Sequence, residues 1–149
     1  MSGEPAASAA PASDAAPSIR RRLASMLYEF LGLFALGFLA TWLFQFAAGT
    51  LEIAGWRRHL LQLFILATFA VYFLWCWLRG GQTLAMKTWR IRLVAKDGHR
   101  GLAPKAALLR FVCALFLVPT AIGIFWAMVD RDRQFLHDRL AGSLLVPAD

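Results

Sequence analysis

The order of apolar and polar positions divides the chain into three long hydrophobic runs separated by basic connections. Residues 23–46 read LASMLYEFLGLFALGFLATWLFQF, in which Glu29 and, at the far end, Gln45 are the strongly polar side chains. Residues 60–78 read LLQLFILATFAVYFLWCWL, interrupted by Gln62. At ~1.5 Å rise per residue the first run makes a helix of ~36 Å, enough to cross a ~30 Å hydrocarbon layer with some tilt. Both runs are expected to be full transmembrane helices. The third, residues 111–129, reads FVCALFLVPTAIGIFWAMV and contains Pro119 and Gly123. Either it crosses as one helix, or the proline and glycine divide it into two half-helices of about ten residues and ~15 Å each, forming a re-entrant hairpin.

A different periodicity follows the second run. Trp89, Ile91 and Leu93 alternate with Arg90 and Arg92, the period of two that marks a half-buried strand. Asp97-Gly98 comes next and is a turn signal. A lone hairpin is marginal in water, so a further strand is expected, and residues 143–146 are the other strand-like run nearby. They can join only if the tail lies on the same side as this loop, which favours the re-entrant form. The predicted fold is therefore an α-helical multi-pass membrane protein: two full transmembrane helices, a third Pro/Gly-interrupted segment, and a small cytoplasmic β element.

Charge supplies the orientation. Arg20, Arg21 and Arg22 precede the first run, whereas residues 47–59 carry Arg57 and Arg58 opposed by Glu52. The second connection carries Arg79, Lys87, Arg90, Arg92, Lys96, Arg100, Lys105 and Arg110 against Asp97. With a cytoplasmic N-terminus, both basic clusters obey the positive-inside rule. Trp75 and Trp77, just before Arg79, suit an interfacial aromatic anchor.

Composition agrees: 59% of residues are hydrophobic and 17% charged, well to the apolar side of a soluble domain. The net charge of +7 sits beside the hydrophobic runs, which points to the bilayer and its anionic headgroups rather than to nucleic acid. Residues 1–19 form an Ala/Pro/Ser tail expected to be disordered. Its acidic, proline-bearing start is unlike a signal peptide, so the first hydrophobic run is the expected insertion signal. Residues 20–149 make up the membrane domain. Cys76 and Cys113 each lie in an apolar run, without metal-ligand or disulfide spacing, and read as small buried apolar groups.

The chemistry concentrates at few positions. Glu29 lies within a spanning helix, where a carboxylate costs a few kcal/mol unless partnered, hydrated or protonated. Arg22 is seven residues earlier, on nearly the same helix face. His137 and Asp138 are adjacent, so on a helix they point about 100° apart and are not a natural acid/base dyad; Asp138 reads as a charge partner for Arg22 or Arg110. Gly80-Gly81-Gln82-Thr83 lacks the spacing and lysine of a phosphate loop, and Thr83 reads as the cap of a short helix. There is no nucleophile beside a base, no metal cluster and no nucleotide fingerprint, so neither an enzyme nor a bound cofactor is expected.

Taken in order, these motifs resemble the RDD family of small bacterial membrane proteins, named for an arginine and two aspartates. Arg22-Leu23-Ala24 with Glu29 resembles the opening, in which an arginine precedes an acidic residue by seven positions. Gly81-Gln82-Thr83-Leu84 and Ile91-Arg92-Leu93-Val94 are similar to the central amphipathic stretch. Arg110 resembles the arginine that opens the third segment, and Leu136-His137-Asp138-Arg139-Leu140-Ala141-Gly142-Ser143 the closing signature, usually written with Thr at its last position. Two positions depart: Glu29 stands where Asp is usual, and Ala85-Met86 where Gly-Lys is common, with Lys87 nearby. The resemblance implies the bacterial inner membrane and a loose association with movement of ions or small solutes.

Two functions follow as expectations. In the first, Glu29 is the titratable group of an ion or proton site, with Arg22, Arg110 and Asp138 setting its charge environment. Three segments are too few to enclose a polar pathway, so this reading requires a homo-oligomer or another membrane protein. In the second, the chain is a non-transporting scaffold or assembly factor. Lys87, Arg90, Arg92, Lys96 and Arg100 then form a surface for a partner or lipid headgroups.

Overall fold

The computed structural model describes residues 17–49, 54–96, 102–120, 122–129 and 135–148. Two helices dominate it. The first, α1, spans Ile19–Ala48, and α2 spans Trp56–Arg79. Both exceed the apolar runs that predicted them. At the start of α1 the Ser18 hydroxyl accepts the Arg21 N–H, so the arginine triplet winds into the helix instead of preceding it. Of the tail expected over residues 1–19, Ser18 and Ile19 begin the helix and Pro17 is buried, while residues 1–16 lie outside those described. Gly49 closes α1 in the left-handed conformation with φ 66°. At the far end of α2, Gly80 returns its N–H to the Cys76 carbonyl.

Each helix is long and apolar enough to cross a membrane, and only 6% and 11% of their apolar windows are buried. Helices so apolar and so uncovered need a nonaqueous surround, as lipid provides. They pack on each other through close approach at Gly37, where an added methyl would stand 3.3 Å from the Phe69 ring.

The third hydrophobic segment is broken. Helix α4 spans Pro104–Leu117 and α5 spans Ile122–Val129. Pro119 has no N–H to continue the ladder, and the Thr120 hydroxyl instead donates to the carbonyls of Phe116 and Leu117, both at 3.1 Å. The helix starts seven residues before the apolar run, because Pro104 occupies its first turn.

Between α2 and α4 lie a one-turn helix, α3 (Leu84–Thr88), and strand β1 (Ile91–Ala95); after α5 come α6 (Leu136–Leu140) and β2 (Ser143–Pro147). The strands pair antiparallel with Leu93 opposite Leu145. Asp97-Gly98 falls outside the described residues, and the partner of β1 is the distant β2. The free edge of β1 is covered too: Leu93 N–H donates to the Gly81 carbonyl at 2.7 Å, and Gln82 Nε2 to the Ile91 carbonyl at 2.8 Å. This supplies the support that a two-stranded ribbon lacks by itself.

Inward residues alternate as the sequence pattern demands, with Ile91 and Leu93 facing Leu145 in a cluster that also takes Trp77, Leu102, Ala107 and Phe135. The core therefore lies at one end of the helices. It joins the start of α1, the end of α2 and the start of α4 beneath a cap made of α3, the sheet and α6.

Candidate functional site

Under this cap lies a cluster of buried charge. Arg22 and Arg110 are 1% and 4% exposed and Asp138 is fully enclosed. Asp138 is presented by α6, whose turn is fixed by the last part of the closing motif. Gly142 adopts φ 65°, and the Ser143 hydroxyl donates to the Asp138 carbonyl at 3.1 Å. A threonine supplies the same hydroxyl.

Arg110 reaches Asp138 from α4. Its Nε donates to Oδ1 at 2.7 Å, and its Nη2 stands 2.6 Å from the same oxygen. The guanidinium also lies 4.2 Å from the centroid of the Trp77 ring. Of the two arginines weighed for Asp138, Arg110 forms this bridge. Arg22 lies over Phe135, 5.7 Å from its centroid, and the His137 ring stacks on the same Phe135 ring at 5.5 Å and 11°.

His137 stays uncharged at neutral pH. Burial pulls its imidazole down to about 4, against an upward pull from Asp138. Its Nε2 is 3.7 Å from Asp138 Oδ1, beyond a hydrogen bond, so it does not orient that carboxylate.

Glu29 faces a separate set of partners. The Thr83 hydroxyl donates to its Oε2, and the Tyr72 hydroxyl is a second hydrogen-bonding neighbour. Thr83 is fully buried and has two jobs, since its oxygen also accepts the Met86 N–H as the cap of α3. Tyr72 in turn accepts the Leu84 N–H at 3.4 Å. Thus α1, α2 and α3 meet on one carboxylate. The capping role of Thr83 was readable from GGQT followed by an apolar residue; its bond across 54 positions to Glu29 was not.

Glu29 lines a cavity of about 340 Å³ bounded by α1, α2 and α4. Arg110 and His137 line it at the cap end; Phe30, Phe69, Phe73 and Phe111 contribute aromatic wall. A smaller pocket of about 60 Å³, lined by Arg22, shares Ser25, Met26, Met86, Arg110 and His137 with it. Glu29 and Arg110 are near enough to interact electrostatically. The structure therefore places Glu29 and Arg110 on the wall of one cavity, with Asp138 bonded behind Arg110 and Arg22 in the adjoining pocket.

The basic surface is less uniform than its sequence. Lys87, Arg90 and Lys96 are exposed, but Arg92 is half-buried and donates through Nη2 to Gln82 Oε1 at 3.3 Å. Arg100 lies outside the described residues. Arg79 covers the Trp75 ring at 3.8 Å, and His59 is exposed. Cys76 and Cys113 are half-buried free thiols. Among the described residues no group of three or more His, Cys, Asp or Glu is arranged to hold a metal ion.

Compared with protein families, residues 16–142 match the model described as the RDD family. Comparison with curated proteins and with solved structures gave no match in either case.

Proposed function

The chain belongs to the RDD family, and from that premise we propose that it takes part in moving ions or small solutes across the bacterial inner membrane, with Glu29 as the group that binds and releases them. The observation that carries this reading is the position of Glu29: a carboxylate within an apolar helix, held by Thr83 and Tyr72, on the wall of the cavity between α1, α2 and α4. An intramembrane carboxylate is expensive, and its expense is accounted for when it serves a passing ligand.

The topology that fits is multi-pass. In it α1 and α2 cross, α4 and α5 form a re-entrant pair, and the N-terminus, the cap and the tail share the cytoplasmic side. The broken third segment and the pairing of β1 with β2 support that arrangement. A single copy has few helices for a pathway, so the working unit is a homo-oligomer or a complex with another membrane protein. The uncovered faces of α1 and α2 supply the apolar surface for it.

Reconstituted vesicles test the reading. Wild-type protein should give cation flux driven by a pH gradient, and a Glu29→Gln protein that inserts equally well should not. Wild-type vesicles indistinguishable from empty ones would sink it.

A scaffold or assembly role is the second reading, favoured by one observation. Arg110 and Asp138 are joined in an enclosed ion pair that ties α4 to α6, a structural use of charge. Under it, Glu29→Gln lowers stability without altering flux. Changing Lys87, Arg90 and Lys96 to Gln then releases a co-purifying partner.

A further inference from the structure

We propose that the cavity between α1, α2 and α4 binds an amphiphilic organic cation, its positive head against Glu29 and its apolar body among the aromatic side chains. The inference deepens the reading of Glu29 as the ligand-binding group and rests on it.

Three features of the wall carry the argument. The first is charge. Of the ionisable side chains among the described residues lining the cavity, Arg110 is matched by Asp138 at 2.6 Å, and His137, titrating at about 4, is neutral at pH 7. Glu29 is left as the wall carboxylate whose hydrogen-bond partners are hydroxyls, Thr83 and Tyr72, with Arg110 acting on it only through space. A hydroxyl steadies a carboxylate but does not neutralise it.

The second is the oxygen supply. A bare inorganic cation of the hard kind wants about six or more oxygens around it. Among the lining side chains, oxygen comes from Glu29 and the Ser25 hydroxyl. That set is too thin to replace a hydration shell. An alkylammonium head is less demanding, since it carries its charge on a surface already partly apolar.

The third is the remainder of the wall. Phe73 lies against Phe111 with ring centroids 6.1 Å apart and against Trp77 at 5.0 Å, while Phe30 and Phe69 border the same space. Aromatic faces attract quaternary ammonium groups, and the effect grows where water is excluded. The Trp77 ring is already covered by Arg110, so the phenylalanines are the available faces. A volume of about 340 Å³ suits a small organic molecule.

A matched pair of probes tests this directly: phenyltrimethylammonium, and tert-butylbenzene, which has the same shape without the charge. Binding of each is measured by equilibrium dialysis against the full chain in zwitterionic nanodiscs, with empty nanodiscs subtracted. The cation should bind, and Glu29→Gln should weaken it roughly thirtyfold or more while leaving the hydrocarbon unchanged. Glu29→Asp should retain most of the affinity. Ala114→Phe, which fills the cavity without touching charge, should abolish binding of both probes and serves if Glu29→Gln does not fold. Cation binding that is unchanged in either folded variant would overturn the proposal, as would equal loss of both probes in Glu29→Gln. Binding in a protein that shows no ion flux would uphold this site and sink the transport reading. Sodium flux without phenyltrimethylammonium binding would do the reverse.

Discussion

Arg110 and Asp138 hold each other at 2.6 Å with both side chains shut off from solvent, and they fasten α4 to α6 across the end of the helices. Removing one member strands the other charge in a place where water cannot reach it. Asp138→Ala is expected to cost ~3–5 kcal/mol. Arg110→Met combined with Asp138→Leu should recover much of that loss, because no charge is then left unpartnered. Thermal unfolding in detergent, followed by tryptophan fluorescence, measures both.

Thr83 offers a finer test, since one hydroxyl caps α3 and bonds Glu29. Thr83→Val should destabilise by ~1–3 kcal/mol, whereas Thr83→Ser should stay within ~0.5 kcal/mol. Combined with Glu29→Gln, Thr83→Val should cost less than the two single losses added together. Strict additivity in that cycle would mean that the two side chains do not interact.

His137 predicts a pH dependence. Its folded value of about 4 lies below the ordinary 6.5, so between these two pH values the unfolded chain binds the extra proton. Stability should therefore fall as pH drops from about 6.5 to about 4, by about 3 kcal/mol, and this contribution should level off below pH 4. His137→Phe, which keeps a ring on Phe135, should flatten the curve in that window and leave stability at pH 7 little changed. A wild-type curve with no slope there would contradict the assignment.

Pairing of the two strands is open to cross-linking. With Cys76 and Cys113 replaced by Ser, Val94→Cys and Leu144→Cys stand directly opposite and should oxidise to a disulfide. Val94→Cys with Val146→Cys, displaced by two positions, should oxidise poorly. Reporters fused after Asp149 and inserted in the connection between α2 and β1 should then report the same side of the membrane.

Much of this architecture was legible in residue order. Two long apolar runs gave the long helices, Pro119 marked where α4 and α5 part, and the alternation at Trp89, Ile91 and Leu93 gave the strand, although Trp89 itself falls just before it. The helix limits were not, because hydropathy cannot see turns built from Arg20-Arg21-Arg22 or from Pro104 to Arg110. Ser18, Pro104 and Gly49 were the local signals that mark those ends. Around Glu29, the charge was visible and its companions were not. Tyr72 looks like any interfacial aromatic and Thr83 like any cap; only the packing of α2 and α3 on α1 makes them partners of a carboxylate.

The sheet that completes the cap joins segments about fifty positions apart, and this has a consequence during synthesis. Arg110 leaves the ribosome 28 residues ahead of Asp138, an interval on the order of seconds at ordinary elongation rates. Throughout that interval the apolar helices can already enter the bilayer while a guanidinium waits beside them for its counter-ion. A chain cut short before Asp138 therefore carries Arg110 without its counter-ion, and the charge at the end of the helices is balanced only once α6 has been made.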